Sequence, residues 1–149
     1  MNIEDEIKGR FRNERHKGMI NLSFTEKHLT YSFLQFLKEY GLTEPQYNIL
    51  RVLRGFQSQG PSSIGFIKER MLDRNSDVSR LIDKLFEKGL VDRKESKSDR
   101  RQKDVEITDQ GLQLLTDMLN CEKRVDTMLD HLTDEEVIEL NRLLDKIRG

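Results

Sequence analysis

Two stretches of the 149-residue sequence carry side chains suited to molecular recognition. The first is Ser76-Asp77-Val78-Ser79-Arg80, followed by Asp83 and Lys84. Short polar side chains near a helix start let it approach base edges closely, and an arginine can grip guanine with two hydrogen bonds or hold a phosphate. Asp77 and Asp83 oppose that role, because a carboxylate is repelled by phosphate unless an arginine neutralises it or a cytosine donates to it. Arg80 lies three positions from both. The second stretch, Arg93 to Lys103, holds six basic and two acidic residues, among them Lys97, Asp99, Arg100, Arg101 and Lys103. A charged run is by default a solvated face, so its meaning depends on the elements around it. Bond-making chemistry has no comparable candidates. His16, His28 and His131 are scattered, Cys121 stands alone in a helical stripe where cysteine is usually a small buried residue, and the glycines match no phosphate-binding loop. We expect no catalytic residue, metal site or cofactor.

The elements that must position these residues are legible from periodicity and caps. Leu29, Phe33, Phe36, Leu37 and Tyr40 recur at helical spacing, predicting a helix over 19–40 that stops at Gly41. Thr43-Glu44-Pro45-Gln46 opens a second helix with a capping box, and Tyr47, Leu50, Leu53 and Phe56 form its inner stripe. Gly60 and Pro61 break the chain, and Ser62 or Ser63 caps a short third helix with Ile64, Ile67 and Met71 inward. After a turn at 72–76, a fourth helix runs from about Ser76 to Lys88, with Asp73, Asn75 or Ser76 as its cap. It buries Val78, Leu81 or Ile82, and Leu85, leaving Ser76, Asp77, Ser79, Arg80, Asp83 and Lys84 outward. Past Gly89 the period changes to alternation, with Leu90–Arg93 and Val105–Thr108 as the strands of a hairpin with a long charged tip. Helical spacing returns over 110–132, and Thr133 to Glu136 is a capping box for a last helix.

Two short helices joined by a tight turn and followed by a hairpin form a helix-turn-helix with a wing, which presents one helix to the DNA major groove. The charge agrees locally. Net charge is −1, yet residues 68–103 carry twelve basic and eight acidic side chains, a surplus of +4 set against −5 in the remainder. Hydrophobic residues are 35% and charged residues 36% of the chain, and mean hydropathy is −0.72, so the core must be small. The charged opening, 1–17, leaves no room for a signal peptide, and no segment reads as a membrane span. A cytoplasmic location is expected, with no membrane partner.

The runs Ser76 to Leu85, Glu87-Lys88-Gly89-Leu90-Val91-Asp92-Arg93, Asp99-Arg100-Arg101 and Ile107-Thr108-Asp109-Gln110-Gly111 resemble the multiple antibiotic resistance regulator (MarR) family of winged helix-turn-helix transcription factors. The match is closest over 42–115, and it departs from the commonest family form at the turn Leu72-Asp73-Arg74-Asn75. The resemblance implies a mainly α fold with a small β-hairpin wing. It assigns 1–41 to an arm and dimerisation helix, 42–111 to the winged domain and 112–149 to C-terminal dimerisation helices. It also implies a homodimer on a pseudo-palindromic operator in double-stranded DNA, with Asp99 bracing the wing, Arg101 in the minor groove and Arg100 on a neighbouring phosphate. Leu129, Leu132, Leu140, Leu143, Leu144 and Ile147 exceed what a small winged domain can cover, which argues independently for a second copy of the chain. Relatives often respond to phenolic or other lipophilic molecules, so a small effector is an expected partner, with His28, Tyr31, Tyr40 and Tyr47 as candidate cleft residues. The expected function is a DNA-binding repressor that is not an enzyme. The alternative is a winged-helix adaptor that turns the same basic face to an acidic protein.

Overall fold

The computed structural model describes residues 1–149, which form two compact units, Met1–Phe36 and Leu37–Gly149. The first contains α1 (Ile3–Ile7) and most of α2 (Glu14–Glu39), which begins five residues before the sequence reading placed it. The earlier start has a local cause: the Asn13 side chain accepts the His16 N–H at 2.9 Å and caps the first turn.

The second unit is built around α3 (Glu44–Gly55), whose residues from Gln46 to Leu50 and Leu53 are buried. Its capping box is present as read: Thr43 accepts the Gln46 N–H, and the Gln46 side chain accepts the Thr43 N–H. Ser63 caps α4 (Ile64–Glu69) by accepting the Phe66 N–H at 3.1 Å. Helix α5 (Val78–Glu87) buries Val78, Ile82 and Leu85. Its cap is Asp77, which accepts the Arg80 N–H at 3.2 Å, and this corrects the expected Asp73, Asn75 or Ser76. Asp73 is used one turn earlier, accepting the Asn75 N–H at 2.9 Å to shape the connecting turn.

The hairpin strands are β2 (Val91–Glu95) and β3 (Lys103–Ile107), paired antiparallel from Val91 opposite Ile107 to Glu95 opposite Lys103. Pairing therefore extends farther toward the tip than the two expected strands. A third strand, β1 (Ser62–Ser63), joins the other edge of β3 and gives the order β1-β3-β2. Two serines have no period to read, and for that reason β1 was not expected.

The expected single helix over 110–132 is broken into α6 (Asp109–Asp117), α7 (Leu119–Asp126) and a 3-10 turn at Thr127–Leu129. The break falls at Met118, two residues after Thr116, whose hydroxyl donates to the Leu112 carbonyl at 3.0 Å, a side-chain bond that bends helices. Helix α8 (Asp134–Arg148) starts at the expected Thr133–Glu136 box and buries none of its residues completely. No helix is long and apolar enough to cross a membrane.

The root of the wing is sealed by the Ile107-Thr108-x-x-Gly111 run. Thr108 donates its hydroxyl to the Gly89 carbonyl at 2.7 Å, accepts the Gly111 N–H at 3.1 Å, and donates its own N–H to the Leu90 carbonyl at 3.1 Å. One residue thus caps α6 and fastens it to the chain leaving α5. Gly111 is buried, and a methyl group there would sit 2.4 Å from the Leu90 carbonyl oxygen. Gly89 stands at φ +75, a left-handed stop that glycine adopts without strain.

Candidate nucleic-acid interface

Helix α5 buries one stripe and exposes the other. Ser79, Arg80, Asp83 and Lys84 all lie on the exposed side, while Ser76 is half-buried ahead of the helix and Asp77 is exposed at its cap. Asp77 is therefore occupied in holding the helix start, with its carboxylate on a backbone N–H.

At the wing tip, Lys97, Asp99, Arg100, Arg101 and Lys103 are exposed. Asp99 accepts the Arg101 N–H at 3.0 Å, and its carbonyl accepts the Gln102 N–H at 3.0 Å, so the tip is folded by a local turn around this carboxylate. The Ser96 N–H donates to the Gln102 carbonyl at 2.9 Å and closes the tip.

The two stretches meet. Ser79 and Asp83 of α5, Ser63 to Gly65 at the start of α4, and Arg101 and Lys103 of the wing line one open depression of about 430 Å³. Lys97 belongs to a different depression of about 520 Å³, whose walls include Asp92, Glu95, Asp104 and Glu106. Arg101 and Lys103 thus share a surface with the exposed helix, and Lys97 sits among carboxylates.

Three cations counted in the basic segment are engaged by other parts of the protein, and sequence reasoning missed all three. Arg93 of β2 forms an ion pair with Asp83 of α5 and lies 4.5 Å from the Phe86 ring centroid. This pair answers the repulsion expected of Asp83, with Arg93 rather than Arg80 as the neutralising partner. Alternation along β2 carried the available signal, because Arg93 shares a face with the buried Val91. Arg70 stacks 3.4 Å from the Phe66 centroid and 5.0 Å from that of Phe56, and it donates to the Phe66 carbonyl at 3.0 Å. Lys88 donates to the Gly41 carbonyl and to Gln46 Oε1.

The four candidate cleft residues divide between the two units. His28 and Tyr31 are exposed on α2 in the first, Tyr31 at 67%. In the second, Tyr47 is buried and its hydroxyl donates to Glu122 Oε1 at 2.8 Å, which also accepts from Arg54 at 3.2 Å. Burial, reinforced by the bond to Glu122, pushes the Tyr47 phenol well above its ordinary value. Tyr40 is half-buried, donates to the Asp117 carbonyl at 3.3 Å and accepts from Cys121 Sγ at 3.8 Å; the contact with Cys121, then burial, raises its phenol too. Cys121 is itself buried.

Comparison with known proteins agrees with this geometry. The sequence profile of the MarR family matches residues 42–103, the span from the start of α3 to the start of β3. The HTH-type transcriptional repressor MdtR of Bacillus subtilis (strain 168) is 30% identical over 115 residues, which are 76% of this chain and 72% of MdtR. Among solved structures, MepR of S. aureus, crystallised as a MepR–DNA complex, superposes with a TM-score of 0.78 at 23% identity, over 87% of this chain and 94% of that one. BpsR of Bordetella bronchiseptica, whose DNA binding is regulated by 6-hydroxynicotinic acid, gives 0.76 at 22% identity, over 95% and 99%. The structural matches carry the winged-helix fold and the MdtR match carries the kinship. With helix, wing and root motif each in place, this chain belongs to the MarR family and is a transcriptional regulator, not an enzyme.

Proposed function

We propose that the protein is a homodimeric repressor that binds a specific pseudo-palindromic site in double-stranded DNA and is released by a small lipophilic or phenolic effector. The observation that carries the DNA reading is the shared depression joining the exposed side of α5 to Arg101 and Lys103 of the wing. On this reading Ser76, Ser79, Arg80 and Lys84 face the major groove. Arg101 enters the minor groove, where arginine suits the concentrated negative potential, and Arg100 and Lys103 hold phosphates. Lys97 is the weakest member of the set because of its acidic neighbours, and Asp77 and Asp99 act by holding backbone.

A second copy of the chain accounts for apolar surface that one copy leaves in water. Ile138, Leu143 and Ile147 of α8 are 69%, 44% and 67% exposed, and within the first unit Met19 and Leu22 of α2 are 60% and 40% exposed. A two-fold dimer places two recognition helices on half-sites about one turn of DNA apart, ~34 Å. Effector release is supported by BpsR, and any such molecule must bind the released state more tightly than the bound one.

Selection of bound sequences from a random duplex pool, with mass by light scattering, tests this reading. Recovery of a two-fold symmetric site by a dimer supports it. A monomer, or no enrichment and no duplex binding at low salt, refutes it, and capture of an acidic protein by the same face would favour the adaptor. In follow-up titrations, Arg80→Ala loses about 1–3 kcal/mol and relaxes discrimination at one base pair, whereas Arg100→Ala weakens all sequences alike.

A further inference from the structure

The acidic remainder of the chain hides a second basic segment. Residues 8–17 contain five basic and one acidic side chain, a surplus of +4 equal to that of 68–103, and everything outside the two segments carries −9. The first unit holds this segment in an ordered bend. Helix α1 ends at Lys8, which takes a left-handed conformation at φ 49 while its N–H donates to the Glu4 carbonyl at 3.1 Å. His16 Nδ1 accepts the Arg12 N–H at 3.2 Å, and the Phe11 and His16 rings meet edge to face at 6.0 Å. Lys17 closes the bend through an ion pair with Glu4. Among the five cations only Lys17 has a carboxylate partner; Lys8, Arg10, Arg12 and Arg15 are exposed and unpaired.

We propose that Lys8, Arg10, Arg12 and Arg15 form a second surface for the phosphate backbone of duplex DNA, in addition to the recognition helix and the wing. The proposal rests on the DNA-binding reading given above. Four uncompensated cations within eight residues repel one another and gain most from a polyanion, because each phosphate contact also releases condensed counterions. Three of the four are arginines, whose planar fork matches phosphate. An already folded bend loses little conformational freedom on binding. Membrane attachment by a short basic segment needs a second, apolar anchor, and the one apolar side chain of residues 8–17, Phe11, is half-buried against His16. Contacts of this kind read no bases, so they add affinity without adding discrimination.

The test is a salt series of anisotropy titrations with the full chain on the selected duplex, extended by flanking sequence, and on a random duplex of equal length. R10A/R12A/R15A is expected to make the slope of log Kobs against log salt less negative by about 2.7 per protomer, at ~0.9 for each lost phosphate. Both duplexes weaken by the same factor, and R10K/R12K/R15K restores the slope. Arg10 and Arg12 lie outside both helices, so R10A/R12A alone should remove about 1.8 with the thermal melt unchanged. An unchanged slope in a variant whose wild type binds DNA overturns the proposal. So does loss of sedimentation with phosphatidylserine vesicles alongside unaltered DNA titrations, which would assign the segment to a lipid surface. A wild type that binds no duplex at low salt overturns the DNA reading itself, an outcome separable from the other two.

Discussion

Gly111→Ala is the sharpest test of how the wing is rooted. Its added methyl carbon would lie 2.4 Å from the Leu90 carbonyl oxygen, 2.7 Å from Ile107 Cγ1 and 3.3 Å from Ile107 Cδ1. Two of those contacts are far inside van der Waals distance, and the first is to backbone, so α6 must move by most of an ångström. Overpacking of this kind costs about 1–3 kcal/mol. The displacement also strains the bonds joining Thr108 to Gly89, Leu90 and Gly111, of which losing one costs about 1 kcal/mol. Against this, alanine gains about 1 kcal/mol over glycine in a helix. The net expectation is a loss of about 1–3 kcal/mol from the same terms. Gly55→Ala is the control: it lies in α3 with nothing within 4 Å of the new carbon, and it should be neutral or stabilising by a few tenths of a kcal/mol. Urea denaturation at one fixed protomer concentration reads both midpoints. If Gly111→Ala unfolds at or above the wild-type midpoint, the seam described for the root of the wing is wrong.

Three further expectations follow from single contacts. Asp77→Ala should cost about 1 kcal/mol as a lost cap and Asp77→Ser only a few tenths; an altered base preference in the selected sites of Asp77→Ser would show instead that the carboxylate reads DNA. Asp83→Ala removes a half-exposed partner of Arg93 and should change stability by no more than about 1 kcal/mol, while on the proposed function it tightens binding to random duplex at low salt; weaker binding there would count against a DNA-binding role for the depression that Asp83 shares with Arg101 and Lys103. Tyr47, whose phenol is raised in the folded state, favours folding while protonated. That contribution is complete below the ordinary phenol value near pH 10 and is lost as pH rises beyond it. Tyr47→Phe should therefore flatten the alkaline limb of the stability–pH curve, and an identical limb in both proteins would contradict the buried hydroxyl.

Much of the second unit was legible because its signals are local. Thr43 with Gln46, Thr133 with Glu136, and glycines at 41, 60 and 89 act within one turn of chain, and all do in the structure what their spacing indicates. The cap of α5 was not legible, because Asp73, Asn75, Ser76 and Asp77 compete within five residues and the winner depends on where Val78 enters the core. The strand at 62–63 is too short for any periodicity, and the break at Met118 interrupts a pattern that stays helical on both sides. The exposed side of α5 followed directly from its buried stripe. The partners of Arg93, Arg70 and Lys88 did not, since each depends on elements brought together only by folding. A count of charges treats all twelve basic residues of 68–103 alike, and only the fold separates cations free to meet a ligand from those already spent on the protein.

The Arg93 contacts have a mechanical meaning. An ion pair and a stacked ring cross-link the hairpin to α5, and the Thr108 bonds clamp its root, so wing and helix form a single lever. On the proposed function, an effector that loosens the protein from DNA would have little compliance to exploit within one reading head. In the proposed dimer it would act by tilting or separating whole heads, and operator occupancy would then measure the distance between two rigid bodies.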